Sequence, residues 1–434
     1  MVDLVVKAGS LTFRNPILPG SSHVASDAKT VRKCIKNNVG GIVLKSLTHI
    51  DFIRSRYVPT YFFMDPLGPE YRGLMGHGES ISIYDVDKFT KTQLPEIVRE
   101  CRDAEIPLIG SVLASNEIEE ILNIAKKLCE NGVDAIEINA GCSLFFTERF
   151  QRAVEEYSKL KGKEVKMGAV VATDEKVMDE IIVTFKKELN VPVYVKIGPY
   201  LEPVESITES YIKAGVDGIT ALDSFGTGIA IDWKNETPFF ATWTTGGYTA
   251  GLFFVSMAKI IRIKKKFPDL YISGCGGVRN VGHVIQYLLV GCKTVQVATA
   301  VFYYGHKLFN ELVYGLSKWM EERGYSSPKE FIGKLLNYYR LPKTLPLSHE
   351  PTEKSYPYEV EVDISKCNFC GRCQDVCFYE LIQIDREVRA VEVNKNECWN
   401  CGLCIGVCPQ NAIKLVDRQT KQIVWDNKGL VRTF

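Results

Sequence analysis

The sequence predicts an α/β chain built as a (β/α)8 barrel of the TIM type, with a small cysteine-rich domain behind it. Two observations carry this. Between residues 16 and 300, eight short apolar runs alternate with stretches of helical periodicity. Strands that are apolar throughout and separated by helices pair in parallel, and eight such units imply closure. Beyond them, eight of the 14 cysteines fall in two runs of identical spacing.

In chain order the expected strands are 16–20, 41–45, 107–112, 134–138, 192–197, 217–222, 270–274 and 294–298. Helical stretches lie between them. In 117–131, Ile118, Ile121, Leu122, Ala125 and Leu128 recur at helical spacing and Gly132 follows as a stop signal. An open doubly wound sheet is the alternative, but its dinucleotide fingerprint is missing. Gly226-Thr227-Gly228 and Gly274-Cys275-Gly276 both lack the third glycine at the required spacing.

Two excursions interrupt the alternation. Residues 51–90 follow the second strand and are rich in aromatics and glycine (Tyr57, Tyr61, Phe62, Phe63, Tyr71, Gly73, Gly76, Gly78). Residues 225–251 follow the sixth and carry Trp233, Trp243, Gly246 and Gly247. Both are expected at the mouth of the barrel, as walls of a pocket or as surface elaborations with an oligomer contact. The barrel is expected over 1–340, with a helical pattern from Tyr304 to Tyr339. A proline-bearing connector follows over 341–359, then the cysteine-rich domain with a polar tail over 360–434.

The cysteine runs read Cys367-x-x-Cys370-x-x-Cys373-x-x-x-Cys377 and Cys398-x-x-Cys401-x-x-Cys404-x-x-x-Cys408-Pro409. Zinc also favours Cys-x-x-Cys pairs, and disulfides are a second alternative. Two identical four-cysteine registers argue against both. The spacing resembles a bacterial ferredoxin-type pair of [4Fe-4S] clusters, so the second domain is expected to be ferredoxin-like, with two clusters. The resemblance implies a crossover: Cys367, Cys370, Cys373 and Cys408 around one cluster, and Cys398, Cys401, Cys404 and Cys377 around the other. Phe378 stands where the first run would carry its proline. The segment Asn411-Ala412-Ile413-Lys414-Leu415 resembles the short strand that follows the second cluster in such modules.

A net charge of +1, with 46% hydrophobic and 24% charged residues, excludes neither a large core nor enzymatic function. It gives no footing for nucleic acid or an anionic membrane as main partner. No apolar run is long enough to span a bilayer, and the start has no signal-peptide pattern, so the expected location is the cytoplasm. Cys34, Cys101, Cys129, Cys142, Cys275 and Cys292 are scattered as single thiols, as a reducing compartment allows.

In a barrel the polar residues at the carboxyl ends of the strands converge. Here they are Gly20 and Ser21; Lys45 and Ser46; Ser111; Asn139 and Cys142; Lys196; Asp223 and Ser224; Gly276 and Gly277; Ala298 and Thr299. The set suits FMN. Gly276-Gly277 and Ala298-Thr299 offer backbone N–H groups to a phosphate at the seventh and eighth strands. A buried Lys196 needs an anionic partner. The N1/O2 edge of the flavin is one and a structural carboxylate is the other.

The ordered set Asn15-Pro16, Gly20-Ser21, Lys45-Ser46, Asn139-x-x-Cys142, Val195-Lys196, Gly276-Gly277-Val278 and Gln296-Val297-Ala298-Thr299-Ala300 resembles the dihydroorotate dehydrogenase superfamily. With the cysteine runs appended, the chain is similar over nearly its whole length to the FMN and iron–sulfur subunits of bacterial dihydropyrimidine dehydrogenases. The resemblance implies hydride passage between flavin N5 and C6 of a pyrimidine ring, with proton exchange at C5 by a loop cysteine. It makes Cys142 the general acid/base and Asn139 a positioning group for flavin or substrate. A thiol with an ordinary pKa near 8.5 can both give and regain a proton once tuned.

Three departures bear on the substrate. Ser143 and Leu144 follow the cysteine where the family has proline. Asp223 stands where the family places a substrate-binding asparagine, with Ser224 beside it. The expected second asparagine is missing from Met75-Gly76-His77-Gly78-Glu79, which leaves His77 as the candidate contact. An amide donates and accepts hydrogen bonds, but an ionised carboxylate only accepts, so the substrate is expected to turn an N–H or a cationic group toward Asp223. A flavin between an organic ring and iron–sulfur clusters converts paired electrons to single ones. With no nicotinamide fingerprint, the far redox partner is expected to be a separate NAD(P)H-oxidising flavoprotein (FAD) subunit or a soluble ferredoxin, in a homo- or hetero-oligomer. The alternatives are an electron-transfer subunit with a non-catalytic barrel, and dihydroorotate oxidation.

Overall fold

The eight apolar runs fold as eight strands: β1 Ile17–Pro19, β2 Ile42–Val43, β3 Leu108–Leu113, β4 Ala135–Asn139, β5 Val193–Ile197, β6 Gly218–Ala221, β7 Tyr271–Cys275 and β8 Thr294–Val297. The computed structural model describes residues 2–54, 61–63, 65, 75–77, 81–146, 148–225, 231–232, 235–238, 251–339 and 358–428. The strands join in one parallel sheet in the order β1-β8-β7-β6-β5-β4-β3-β2, so each lies beside its neighbour in sequence and β8 returns to β1. This is a nearly closed (β/α)8 barrel.

The remaining seam lies between β1 and β2. There the Gly40 N–H donates to the Ile17 carbonyl at 2.7 Å. Asn15, buried beside it, donates to the Asn38 carbonyl at 2.7 Å and accepts from the Ile17 N–H at 3.0 Å. The backbones approach so closely that a Cβ at residue 40 would sit 1.8 Å from the Asn15 carbonyl oxygen, so only glycine fits.

A short hairpin, Val6–Ala8 with Leu11–Phe13, precedes the barrel. Its Ala8, Leu11 and Phe13 pack with Leu18, Val43, Ile109, Ala135, Tyr194 and Tyr271, most of them from the starts of the strands. The hairpin thus stoppers the amino-terminal end of the barrel with an apolar plug, which leaves polar chemistry to the opposite end. Outside, amphipathic helices cover the sheet. In Ile118–Glu130 the residues Ile121, Leu122, Ile124, Ala125 and Leu128 are buried, and Gly132 turns the chain at φ +98°. Of the helical pattern expected over 304–339, Lys307–Arg323 is a continuous α-helix and the remainder holds two short 3-10 segments.

The chain divides into two compact units, Met1–Tyr339 and Arg340–Phe434. In the second, β9 Tyr358–Val362 pairs antiparallel with β12 Ile413–Asp417, which pairs in turn with β13 Ile423–Trp425. A second hairpin joins β10 Ile382–Asp385 to β11 Ala390–Val393. The strand expected near Asn411 to Leu415 is β12. The supposed polar tail is corrected here: Ile423–Trp425 completes a three-stranded sheet, and Trp425 packs so near Gly402 that a Cβ there would lie 2.7 Å from its ring. Most of the expected connector, 341–357, lies outside the described residues. No helix among the described residues is long and apolar enough to cross a membrane.

Candidate active site and cluster cavities

At the carboxyl ends of β1 to β4 the expected residues meet. Ser21 Oγ lies 3.1 Å from Ser46 Oγ, Ser46 Oγ lies 2.9 Å from Ser111 Oγ, and Asn139 Nδ2 donates to Ser46 Oγ at 2.9 Å. Ser46, Ser111 and Asn139 are all buried. Asn139 Oδ1 accepts from the Gly141 N–H at 3.2 Å, which fixes the amide and starts the turn toward Cys142. Lys45, two residues past β2, is buried next to Ser46 of this array. On the far side, Gly276 and Gly277 after β7 have φ of +107° and +67°, conformations that side-chain-bearing residues disfavour. Tyr287 anchors that turn by donating its hydroxyl to the Gly276 carbonyl at 2.7 Å. Gly20 after β1 packs on Ala298, where an added Cβ would meet the Ala298 Cβ at 3.4 Å, and Thr299 opens the next helical turn.

The loops after β4 and β6 are tied together. Ser143 Oγ donates to the Ser224 carbonyl at 3.3 Å. Asp223 closes on Gly141, where an added Cβ would lie 2.5 Å from the Asp223 Cβ. Asp223 Oδ1 accepts the Ser224 N–H at 2.7 Å. Cys142 is 9% exposed and sits in an apolar cluster with Ile50, Ile53, Ile81, Leu113, Phe145 and Met167. Ile53 and Ile81, from the excursion after β2, belong to the same cluster. The hairpin of that excursion, Tyr61–Phe63 with Met75–His77, reaches the elements after β8 and β1. Tyr61 lies 4.5 Å (ring centroids) from Phe302, and its hydroxyl is 2.8 Å from His23 Nδ1. The His77 side chain, with Trp233, Trp243, Gly246 and Gly247, lies outside the described residues.

Lys196 has a partner that the strand ends alone do not reveal. Its Nζ is 3.8 Å from Glu137 Oε1 and donates to Gln296 Oε1 at 3.4 Å. The structural carboxylate weighed as an alternative is therefore real. Glu137 is missed by any search confined to strand ends, because it lies in mid-strand on β4. The signal for it is a lone acid inside an otherwise apolar run. Cys275, also missed, ends β7 in the same neighbourhood. Burial pushes its thiol up to about 11, opposed by the Lys196 charge and assisted by Asp223.

In the second unit the eight cysteines separate into two sets of four. One cavity is lined by Cys367, Cys370, Cys373 and Cys408 with Val362, Ile384, Val391 and Ile413. Another is lined by Cys377, Cys398, Cys401 and Cys404, together with Trp399 and Tyr379. The two linings group the cysteines as a crossover would require. Gly371 and Gly402, at φ +89° and +81°, turn the chain between the second and third cysteine of each run. Among the described residues no three His, Cys, Asp or Glu side chains close to single-ion distance. The thiols instead stand around a cavity, which suits a cube gripped corner by corner. Backbone N–H groups of Phe369, Leu381 and Ala412 point at the sulfurs of Cys367, Cys377 and Cys408 at 3.3, 3.4 and 3.2 Å. Burial, then the neighbouring Cys398 and Cys401, pushes the Cys404 thiol up to about 12, so iron must displace its proton to bind.

The family model for dihydroorotate dehydrogenase matches residues 3–320. The chain belongs to the dihydroorotate dehydrogenase family. A second model, for a 4Fe-4S dicluster domain, matches residues 355–412. Among curated relatives, the catalytic subunit of dihydroorotate dehydrogenase B (NAD(+)) from Thermoplasma volcanium is 25% identical over 333 residues, 77% of this chain and 98% of its own. The NAD-dependent dihydropyrimidine dehydrogenase subunit PreA from Escherichia coli K12 is 24% identical over 384 residues, 87% of this chain and 85% of its own. The chloroplastic dihydropyrimidine dehydrogenase (NADP(+)) of Arabidopsis thaliana is 25% identical over 349 residues, 78% of each chain. This family member is thus an oxidoreductase acting on CH–CH bonds, of the dihydropyrimidine or dihydroorotate dehydrogenase type, with an iron–sulfur domain. Family membership implies a flavin and the dicluster domain implies iron–sulfur. The residues present fit both: buried hydroxyls, an amide and two lysines around the mouth, and thiols around two cavities.

Proposed function

We propose that this chain interconverts a cyclic, dihydropyrimidine-like substrate with its unsaturated form, using FMN and two [4Fe-4S] clusters, and exchanges electrons with a separate redox protein. One observation carries the reading. Cys142 is held in an apolar cluster on a loop tied through Ser143 to the loop of Asp223, beside the Ser21–Ser46–Ser111–Asn139 array. A proton donor, a recognition carboxylate and a ring-binding surface thus share one mouth.

When bound, the flavin exchanges hydride with a ring carbon and passes single electrons to iron–sulfur clusters. The chain's own residues do the rest. Ser21, Ser46, Ser111 and Asn139 would hold the aromatic system by hydrogen bonds, and Lys45 and Lys196 would supply positive charge to it. The turns at Gly276-Gly277 and Ala298-Thr299 offer N–H groups to the phosphate. Cys142 holds a proton for the carbon next to the one that gains hydride, and recovers it in the reverse direction. Its apolar surroundings exclude water that would compete for that proton. Asp223 accepts an N–H from the substrate, and Ser224 and His77 complete the contacts. The match to the dihydroorotate dehydrogenase B catalytic subunit, which spans 98% of that relative, supports dihydroorotate as the second reading. The PreA match favours the dihydropyrimidine reading, because it spans more of the chain than the barrel unit supplies.

Anaerobic titration of the flavin absorbance with reduced heterocycles tests this. Rings carrying an amino group are expected to bleach the flavin at lower concentration than their keto counterparts, and Asp223→Asn to shift that preference toward keto rings. An unchanged preference in Asp223→Asn removes the carboxylate from substrate recognition. Failure of every cyclic amide to bleach the flavin leaves a barrel that serves electron transfer alone.

A further inference from the structure

Beneath the mouth, the interior of the barrel carries a polar network that spans four strands. Glu137 on β4 is 1% exposed. Its Oε2 accepts from Thr220 Oγ1 on β6 at 2.7 Å and from Gln296 Nε2 on β8 at 2.9 Å. Gln296 Nε2 also lies 3.2 Å from Thr220 Oγ1. Its amide is therefore oriented with nitrogen toward the carboxylate and oxygen toward Lys196 Nζ on β5, at 3.4 Å. Glu137 Oε1 accepts no hydrogen bond and faces the same ammonium at 3.8 Å.

A buried carboxylate satisfied on one oxygen and opposed to a cation on the other is unusual as a stabilising device. Two apolar residues of similar volume would serve a barrel core at least as well. Burying a charge is costly unless it is compensated, and here the compensation runs to a lysine that stands at the flavin site. In so low a dielectric the two charges act on a bound ring together, with opposite sign.

We propose that Glu137 is a positioning residue whose charge offsets that of Lys196, and so lowers the affinity of the bound flavin for added negative charge. This rests on the flavin reading of the mouth. Lys196 alone would draw electron density onto the N1/O2 edge. With Glu137 beneath it the pull is partly cancelled, and the reduced ring remains a ready donor to the clusters. Thr220 and Gln296 set the strength of the cancellation, since each hydrogen bond to Oε2 spreads the carboxylate's charge.

The probe is sulfite, which adds to flavin, leaves negative charge on that edge and is read as loss of flavin absorbance without turnover. In the full chain, Glu137→Gln is expected to tighten sulfite binding about tenfold, equivalent to about 30 mV for a two-electron couple. Glu137→Asp, which keeps the charge, is expected to return to within about threefold of the parent. A looser pocket would weaken sulfite binding, so the direction separates charge from mere structure. Affinity in Glu137→Gln that is unchanged or weaker overturns the proposal. If Glu137→Gln fails to fold, Thr220→Val decides. Valine matches threonine in volume but lacks the 2.7 Å donor, which concentrates the carboxylate's charge, so sulfite should bind more weakly than in Thr220→Ser, which keeps the hydroxyl and loosens the packing; equal or tighter binding in Thr220→Val than in Thr220→Ser overturns the idea. A correctly folded parent that takes up no flavin is a distinct result, which overturns the flavin reading and this inference with it.

Discussion

At Cys142 the surroundings turn a residue type that is commonly a small buried hydrophobe into a candidate acid. The side chain is packed among Ile53, Ile81, Leu113 and Phe145, and its loop is fixed at both ends: by the Asn139 amide on the Gly141 N–H, and by the Ala169 N–H on the Cys142 carbonyl at 3.0 Å. Cys142→Ala is expected to slow substrate-driven flavin reduction by about 10²- to 10⁴-fold, the usual worth of a positioned acid or base. Flavin content and substrate affinity should stay close to the parent's, because the apolar neighbours remain. Rapid mixing under anaerobic conditions measures the rate. A fall of less than about tenfold would leave Cys142 as packing only.

At the scale of elements, the seam between β1 and β2 is the place where one atom decides closure. Gly40→Ala forces a Cβ into the Asn15 carbonyl, and backbone cannot yield there as a flexible side chain could. The cost is expected to exceed about 4 kcal/mol, at the far end of single substitutions. Thermal denaturation should show it as a midpoint lower by about 10 °C or more, or as loss of soluble protein, and an unchanged midpoint would mean the seam can open. The eight strands were legible in sequence because a strand buried on both faces is apolar at most positions, in a near-continuous run rather than an alternation. Short strands with few residues to carry a pattern were not, hence the omission of Val6–Ala8, Leu11–Phe13 and Ile423–Trp425. The mouth residues were legible as strand ends, since a barrel sends those ends to one place. Glu137 was not, because its meaning lies in Gln296, 159 residues away along the chain, and in Lys196 on the next strand. A sequence shows the lone acid but not which strand returns to face it.

At the scale of the whole chain, the proposed function assigns paired electrons to one unit and single electrons to the other, and the cysteine pattern allows that division to be tested piece by piece. Each run has one cysteine lining the other's cavity, Cys408 with the set begun by Cys367 and Cys377 with the set begun by Cys398, which is the crossover to be tested. Substituting Cys408 by alanine should therefore empty the cavity at the other run, taking iron from about eight to about four atoms per chain. The partner cluster survives because Cys398, Cys401, Cys404 and Cys377 are untouched. Iron analysis with low-temperature spectroscopy of the reduced protein checks this, and loss of the second run's cluster instead would overturn the crossover. The same variant probes the wiring. The parent chain, which has no nicotinamide fingerprint, is expected to show little NAD(P)H activity when purified alone, yet to link substrate oxidation to an artificial one-electron dye. In Cys408→Ala substrate should still bleach the flavin in a single turnover, since every residue of the mouth belongs to the barrel unit, while delivery of electrons to a protein acceptor falls. Equal rates of delivery with and without that cluster would show that electrons leave the flavin by another route.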